Sequence, residues 1–306
     1  MTALARPLTS PSHDETRGML LGLAGVAMFS LTMPFTRMAV FDLDPLFAAL
    51  ARALGAAALA AGWLVWRRAP LPPRGAWLPL GLVMLGVVIG FPLLSSMALR
   101  ALPAAHGAVL AGLLPLLTTI YAALRGDERP SLGFWLLAVL GAAIVVAFAL
   151  YQGAGALHPA DLLMFAALAA GGIGYAEGGK LARTLGGPET ICWALLLAVP
   201  LAAPALAWHL AIHPTDFAAV GPAAWSGLAY VTAISMFVGF FFWYRGLALG
   251  GIARVGQVQL LQPFMSLLGA AVLLGEPLAL NNCLFALAVI GVVCAGRRLQ
   301  VRRQPS

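Results

Sequence analysis

The sequence predicts an all-α membrane protein of ten transmembrane helices, arranged as two inverted five-helix repeats. Three observations carry this. Of 306 residues, 61% are hydrophobic and only 9% charged, whereas a soluble domain is about 25% charged. Apolar stretches of about 20 residues, enough to cross the hydrocarbon core, follow one another along nearly the whole chain. Landmarks of the first half also return, in order, in the second.

The spans fall at about 18–38, 46–66, 77–99, 104–124, 132–151, 160–180, 189–210, 222–245, 253–274 and 280–299. A polar tail, 1–17, with Pro7 and Pro11, precedes the first span and is expected to be disordered and cytoplasmic. The first apolar stretch is too long for a cleavable leader and runs on into the bundle. The first repeat covers 18–151, the second 160–299, and 300–306 form a second cytoplasmic tail. No soluble stretch is long enough for a core of its own.

The net charge of +7 reads as topology rather than nucleic-acid binding. With the N-terminus inside, every Lys and Arg except Arg37, Arg52 and Arg100 falls on an inner segment, while Asp42, Asp44, His158, His213 and Asp216 fall on outer turns. This positive-inside bias places both termini in the cytoplasm and requires an even number of spans. Cys192, Cys283 and Cys294 lie within spans and read as buried free thiols, since their spacing fits neither a metal site nor a disulfide framework.

The internal repeat rests on ordered anchors. Leu113-Leu114-Pro115 sits in the middle of span four and Leu261-Gln262-Pro263 in the middle of span nine; a glutamate, Glu128 or Glu276, follows each proline by 13 residues. Ala98-Leu99-Arg100-Ala101-Leu102 matches Trp243-Tyr244-Arg245-Gly246-Leu247, and Arg37 with Asp44-Pro45 matches Lys180 with Gly187-Pro188. Because five is odd, the second copy enters the membrane with opposite orientation. Such a pair can pack in two equivalent ways, one open to each side, around a midplane site. Two five-span halves, the Pro-centred span with its Gly-Glu or Gly-x-Glu end, and Arg52 early in span two together resemble the EamA-type drug/metabolite transporters over about residues 18–299. Within that family the chain is most similar to the bacterial branch exporting aromatic and other neutral amino acids, which implies such a substrate.

Candidate site residues follow from polarity at membrane depth. Pro115 and Pro263 free the carbonyls of Ala111 and Gln259, which must find partners in a polar cavity or in neighbouring helices. Gln259 and Gln262 lie roughly 60° apart on one helical face, with Gln257 nearly opposite; their amides suit a zwitterion or hydrogen bonds between helices. In span one, Ser30, Thr32, Met33 and Pro34 suggest a bendable gate, or hydroxyls bonded back to their own helix. Ser95 and Ser96, after Pro92, offer the same two readings. Glu177, an intramembrane acid, is a candidate coupling residue, although Lys180 on the same face would neutralise it. Arg52 could bind a substrate carboxylate, reach the outer surface, or pair with Asp42 or Asp44, and the family resemblance favours a structural role. Tyr175, Phe29 and Phe237 could form an apolar wall, whereas the Phe240–Tyr244 run reads as an interfacial aromatic belt. His106 opens span four and reads as interfacial. Gly174 and Gly178 make a small-residue surface for close packing.

The expected function is a secondary transporter that exports small neutral or zwitterionic metabolites, with a small-molecule substrate and the bilayer as partners, no nucleic acid and no cofactor. One chain suffices for a site, and a homodimer is compatible with it. A lipid flippase of the same fold is the main alternative. A phosphate-cradling loop is absent, as is a His-Glu-x-x-His or paired-carboxylate motif, which argues against an ATPase and against a membrane-embedded enzyme.

Overall fold

A computed structural model of the chain describes residues 13–125, 128–129, 132–152, 157–250, 255, 258–298 and 302–303. Apart from a two-residue antiparallel pairing of 128–129 with 302–303, all its regular structure is helical. In chain order the apolar helices are α1 (Thr16–Asp42), α2 (Pro45–Arg67), α3 (Arg74–Ala101), α4 (Ala104–Leu124), α5 (Trp135–Tyr151), α6 (Pro159–Leu181), α7 (Gly187–Ile212), α8 (Pro222–Gly250), α9 (Val258–Leu274) and α10 (Leu280–Val292). Seven are long and apolar enough to cross a membrane; α5, α9 and α10 are the shorter ones. The chain is a multi-pass membrane protein.

Helix already begins at His13, inside the stretch expected to be a disordered tail; the turn before α1 is amphipathic enough to extend it. Residues 1–12, Gln257 and most of the C-terminal tail lie outside the described residues. Helix ends are closed by the residues that suit them. Asp44 accepts from the amides of Leu46 (2.8 Å) and Phe47 (3.1 Å) ahead of Pro45, and so starts α2. His158 and Asp161 form a reciprocal capping box at α6. Gly275, at φ 66°, ends α9 in the left-handed conformation that glycine adopts without strain.

Five helices are interrupted midway. α1 breaks at Leu31. α4 stops at Ala111, turns through Gly112 and Leu113, and restarts at Leu114 with Pro115 in its first turn. α9 opens with one 3₁₀ turn, Val258–Leu261, and becomes α-helical at Gln262 with Pro263 in its first turn. α3 and α8 each widen into a π-helical segment, Met84–Gly90 and Tyr230–Val238. Pro34 has no N–H, so the carbonyl of Ser30, four residues back, loses its helical donor. Ser266 of α9 supplies the missing bond, its hydroxyl donating to Ser30 O at 2.5 Å. The break in α1 is thereby tied to α9.

The helices pair antiparallel across the molecule. α2 packs on α7, α4 on α9 and α5 on α10, while α1 packs on α8 and on α9, and α6 on α3 and on α4. The ends show the direction. Glu276, beyond the end of α9, accepts from the amides of Ala104 and Ala105 at the start of α4 (2.8 and 2.7 Å). Asp44, before α2, lies 3.2 Å from His209 Nε2 near the end of α7, within ion-pair range but not aligned as a hydrogen bond. Close crossings use glycine. A Cβ on Gly246 of α8 would stand 2.8 Å from Gly22 N and 2.9 Å from Gly18 O of α1. On the other side, a Cβ on Gly86 of α3 would meet Ala170 O at 2.6 Å and Gly174 Cα at 2.9 Å in α6. Gly174 and Gly178 therefore serve close packing, with Tyr244 lying against Gly178.

Two outcomes follow. Ser266→Ala orphans the buried Ser30 carbonyl and should cost about 1–3 kcal/mol; in a Pro34→Ala background, where the helix can supply its own amide, the same change should cost distinctly less, as thermal unfolding of the four proteins in detergent would show. Gly246→Val must push α8 off α1 at backbone level and should destabilise by about 1–3 kcal/mol or more, read as a lowered melting temperature beside a Gly62→Val control, where an added Cβ meets open space.

Candidate functional site

Every interruption of regular helix opens on one cavity at the centre of the bundle. Its lining includes Thr32 and Met33 beside the break in α1, Val87 of the π segment in α3, and Ala111 and Leu114 flanking the break in α4. Ser235 of the π segment in α8 and Gln262 at the junction in α9 complete this set. Non-helical backbone at membrane depth is tolerated where it is buried in protein or lines such a cavity, because its polar groups then have partners. Residues before and after 152 contribute together, so neither half encloses the site alone.

One wall is aromatic. The Phe29 ring centroid lies 4.9 Å from Phe240 and 6.1 Å from Tyr175, and Tyr175 and Phe240 meet edge to face at 5.9 Å. Trp243 and Tyr244 back this wall from the same face of α8, with the Tyr244 hydroxyl donating to Gly174 O at 3.1 Å. The expected interfacial belt at Phe240–Tyr244 is thus corrected: Phe240, Trp243 and Tyr244 recur at three- and four-residue spacing and all face inward, buried. Phe237, proposed for the wall, points elsewhere and packs on Phe241 at 4.6 Å.

The opposite side is polar. Arg52, only 3% exposed, donates from Nη2 to Ser235 Oγ at 3.2 Å, and Ser235 Oγ lies 2.7 Å from Thr32 Oγ1. Arg52 Nε and Nη1 have no partner, nor do Gln262 Oε1 and Gln259 Nε2. Arg52 therefore neither reaches the surface nor pairs with the acids considered for it. Asp44 is occupied at the cap of α2, and Asp42 accepts from Gly221 N at 3.0 Å. The free space totals about 450 Å³, but the centre of a water molecule could reach only about 20 Å³ of it. That is room for about one water, so a solute the size of an amino acid enters only if the helices part.

Of the residues singled out in the sequence, the structure brings Met33, Tyr175 and Gln262 to the cavity, and Phe29 and Thr32 with them. Gln259 is buried nearby but off the lining. Ser30 lies off it too: its hydroxyl donates to Ala27 O at 2.7 Å, within its own helix, and its carbonyl is held by Ser266. Ser96 is buried away from the lining, while Ser95 bonds back to Pro92 O. Pro34, Pro115 and Pro263 sit one to three residues past the breaks that shape the cavity. Sequence reasoning missed Ser235 and Phe240 and weighted Arg52 towards a structural role. A cation two turns into an apolar span was signal enough for Arg52. Ser235 carried none, because its direction depends on the π register of α8.

Glu177 lies outside the cavity. Tyr121 Oη donates to its Oε1 at 2.7 Å and Arg125 Nε at 3.1 Å, which ties α6 to the end of α4. His106, expected at the interface, is buried instead, its Nε2 2.7 Å from Asp161 Oδ1, because that carboxylate is already turned inward by the capping box of α6. Among the described residues no cluster of three or more His, Cys, Asp or Glu could hold a metal ion. Cys192 is buried and Cys283 half-buried, both free.

Comparison with known proteins places this architecture. The EamA-like transporter family matches residues 16–150 and again 158–296. An uncharacterized transporter of Bacillus subtilis (strain 168), YdeK, is 47% identical over 286 residues, covering 94% of this chain and 99% of that one. A crystal structure of a protein 20% identical superposes with a TM-score of 0.62 over 92% of this chain and 98% of the other, a likeness of fold.

Glu177→Gln exchanges two charge-assisted hydrogen bonds for weaker neutral ones and should cost about 1–3 kcal/mol. The check is the melting temperature in detergent. No change would show that the Tyr121–Glu177–Arg125 contact does not brace α4 against α6.

Proposed function

The chain belongs to the EamA-like transporter family, and on that premise we propose that it is a secondary carrier exporting small neutral or zwitterionic metabolites, aromatic amino acids foremost, across the bacterial inner membrane by alternating access. The observation that carries this reading is the central cavity, built from both halves at the points where their helices break, with an aromatic wall and unpartnered polar atoms facing one another across it.

Ten helices in two inverted repeats account for several features at once. The family matches two successive segments of the chain. The matched helices α2 and α7, α4 and α9, and α5 and α10 run antiparallel in contact. Exchanging the halves turns the α1–α8 contact into α6–α3 and the α4–α6 contact into α9–α1. The π segments of α3 and α8 also occupy corresponding places. Two halves of one construction, facing opposite ways, can exchange their packings and so open a shared site to either side. The charge asymmetry supports cytoplasmic termini.

Transport then consists of binding in a site that must expand, followed by rocking about the proline and π interruptions. Gln262 presents an amide that can donate or accept towards a polar head group, while Phe29, Tyr175 and Phe240 receive an apolar body. The lining holds no carboxylate, and Glu177 is engaged with Tyr121 and Arg125 outside it. The carrier therefore works without obligatory proton coupling, driven by the gradient of its solute.

Efflux from proteoliposomes preloaded with labelled tryptophan, phenylalanine, alanine or lysine, with and without a pH gradient, tests the reading. Aromatic efflux should persist without the gradient and fall about fivefold or more in Gln262→Ala, the effect of losing one buried hydrogen bond. Efflux that requires the gradient would return Glu177 to a coupling role. Absence of efflux for all four would overturn the amino acid assignment.

A further inference from the structure

We propose that Arg52 is the anchor for a carboxylate group of the transported solute, so that the site selects small monocarboxylates with an apolar or aromatic body and does not require an ammonium group. The proposal rests on the carrier reading and goes one step further, to the chemistry that the solute must carry.

Arg52 is the one charged side chain lining the cavity. Among the described residues it forms no ion pair, and its single hydrogen bond is to a neutral hydroxyl, Ser235. A guanidinium keeps its charge in proteins. Burying it without a counter-charge is strongly unfavourable, and buried charges are ordinarily paired. A structural arginine would hold a carboxylate or several carbonyls at this depth, yet Arg52 leaves Nε and Nη1 empty while facing free space. A planar fork of N–H donors matches a carboxylate, the commonest small anion of metabolism, in two parallel hydrogen bonds. Ser235 and Thr32 hold the fork from behind by their 3.2 and 2.7 Å contacts.

The rest of the lining sets the remaining chemistry. Phe29, Tyr175 and Phe240 offer ring faces to an apolar body. No Asp or Glu lines the cavity, so a substrate ammonium would find only the Gln262 Oε1 acceptor and the repulsion of Arg52. An anion neutralises the site; a zwitterion leaves it positive, and a free amine makes it more so.

The test measures binding to the full-length protein in detergent micelles, by calorimetry and ligand-induced thermal stabilisation, with 3-phenylpropanoate, phenylalanine and phenethylamine. These share one aromatic body and differ in their charged groups. Both carboxylates should bind, 3-phenylpropanoate at least as tightly as phenylalanine, and phenethylamine at least about tenfold more weakly. Arg52→Gln should weaken both carboxylates by about tenfold or more. Its unliganded melting temperature should equal or exceed that of the wild type, because no carboxylate is left behind unpaired. If that variant does not fold, Arg52→Lys serves instead: it keeps the charge, loses the fork, and should weaken carboxylate binding by about threefold or more. Phenethylamine binding as tightly as the carboxylates, no binding of either carboxylate, or unchanged carboxylate affinity in the arginine variants would each overturn the proposal. The carrier reading fails separately. Arg52-dependent binding without flux in proteoliposomes removes the carrier and keeps the anchor, whereas amino acid flux undiminished in Arg52→Gln removes the anchor and keeps the carrier.

Discussion

A membrane interior offers no water to a broken helix, and that constraint organises the whole molecule. Wherever a proline or a change of helical register frees a backbone group, another part of the protein must take it up. Pro34 leaves the Ser30 carbonyl without its amide, and Ser266, more than two hundred residues away, provides the donor. The end of α4 that faces Glu276 shows the same logic, two orphan amides held by one carboxylate from the far half of the chain. Because breaks are expensive in isolation, they gather where they can share a polar space. The cavity is the place where the interruptions of α1, α3, α4, α8 and α9 converge.

Close packing supplies the second half of the arrangement. Apolar lipid gives little hydrophobic drive for helices to associate, so contact area and backbone approach do that work. Glycines bring α8 onto α1 and α6 onto α3 until backbones nearly touch. These tight crossings frame the looser, interrupted segments between them. A molecule built of rigid seams around bendable centres can change which end of its cavity is open without unpacking its seams.

Charge is arranged with equal economy. Glu177 and Asp161 are buried but each is engaged, by Tyr121 and Arg125 in one case and by His106 and a capped helix start in the other. Both pairs join helices from different halves. Against that background the isolation of Arg52 stands out as a property of the cavity rather than of the scaffold, since the same fold elsewhere neutralises what it buries.

Much of this was legible in the sequence. Composition and span length determine a multi-pass helical protein, since hydrocarbon leaves the backbone no other choice, and the recurring Pro and Glu anchors pointed to the two segments that the family matches. Pro34, Pro115 and Pro263 announced the breaks because proline acts through its own missing N–H, a local property. What the tertiary structure alone decided was direction. Whether Ser30 or Thr32, Phe237 or Phe240 meets the cavity depends on where a helix restarts and on the extra turn width of a π segment, which rotates every later side chain. His106 and the Phe240–Tyr244 run looked interfacial by position and proved buried, because depth along a helix does not say which neighbour covers its face. Membrane class and the positions of the breaks are written in the chemistry of single residues and short spacings; the site is a property of helix rotation and of contacts between distant segments, and only packing sets those.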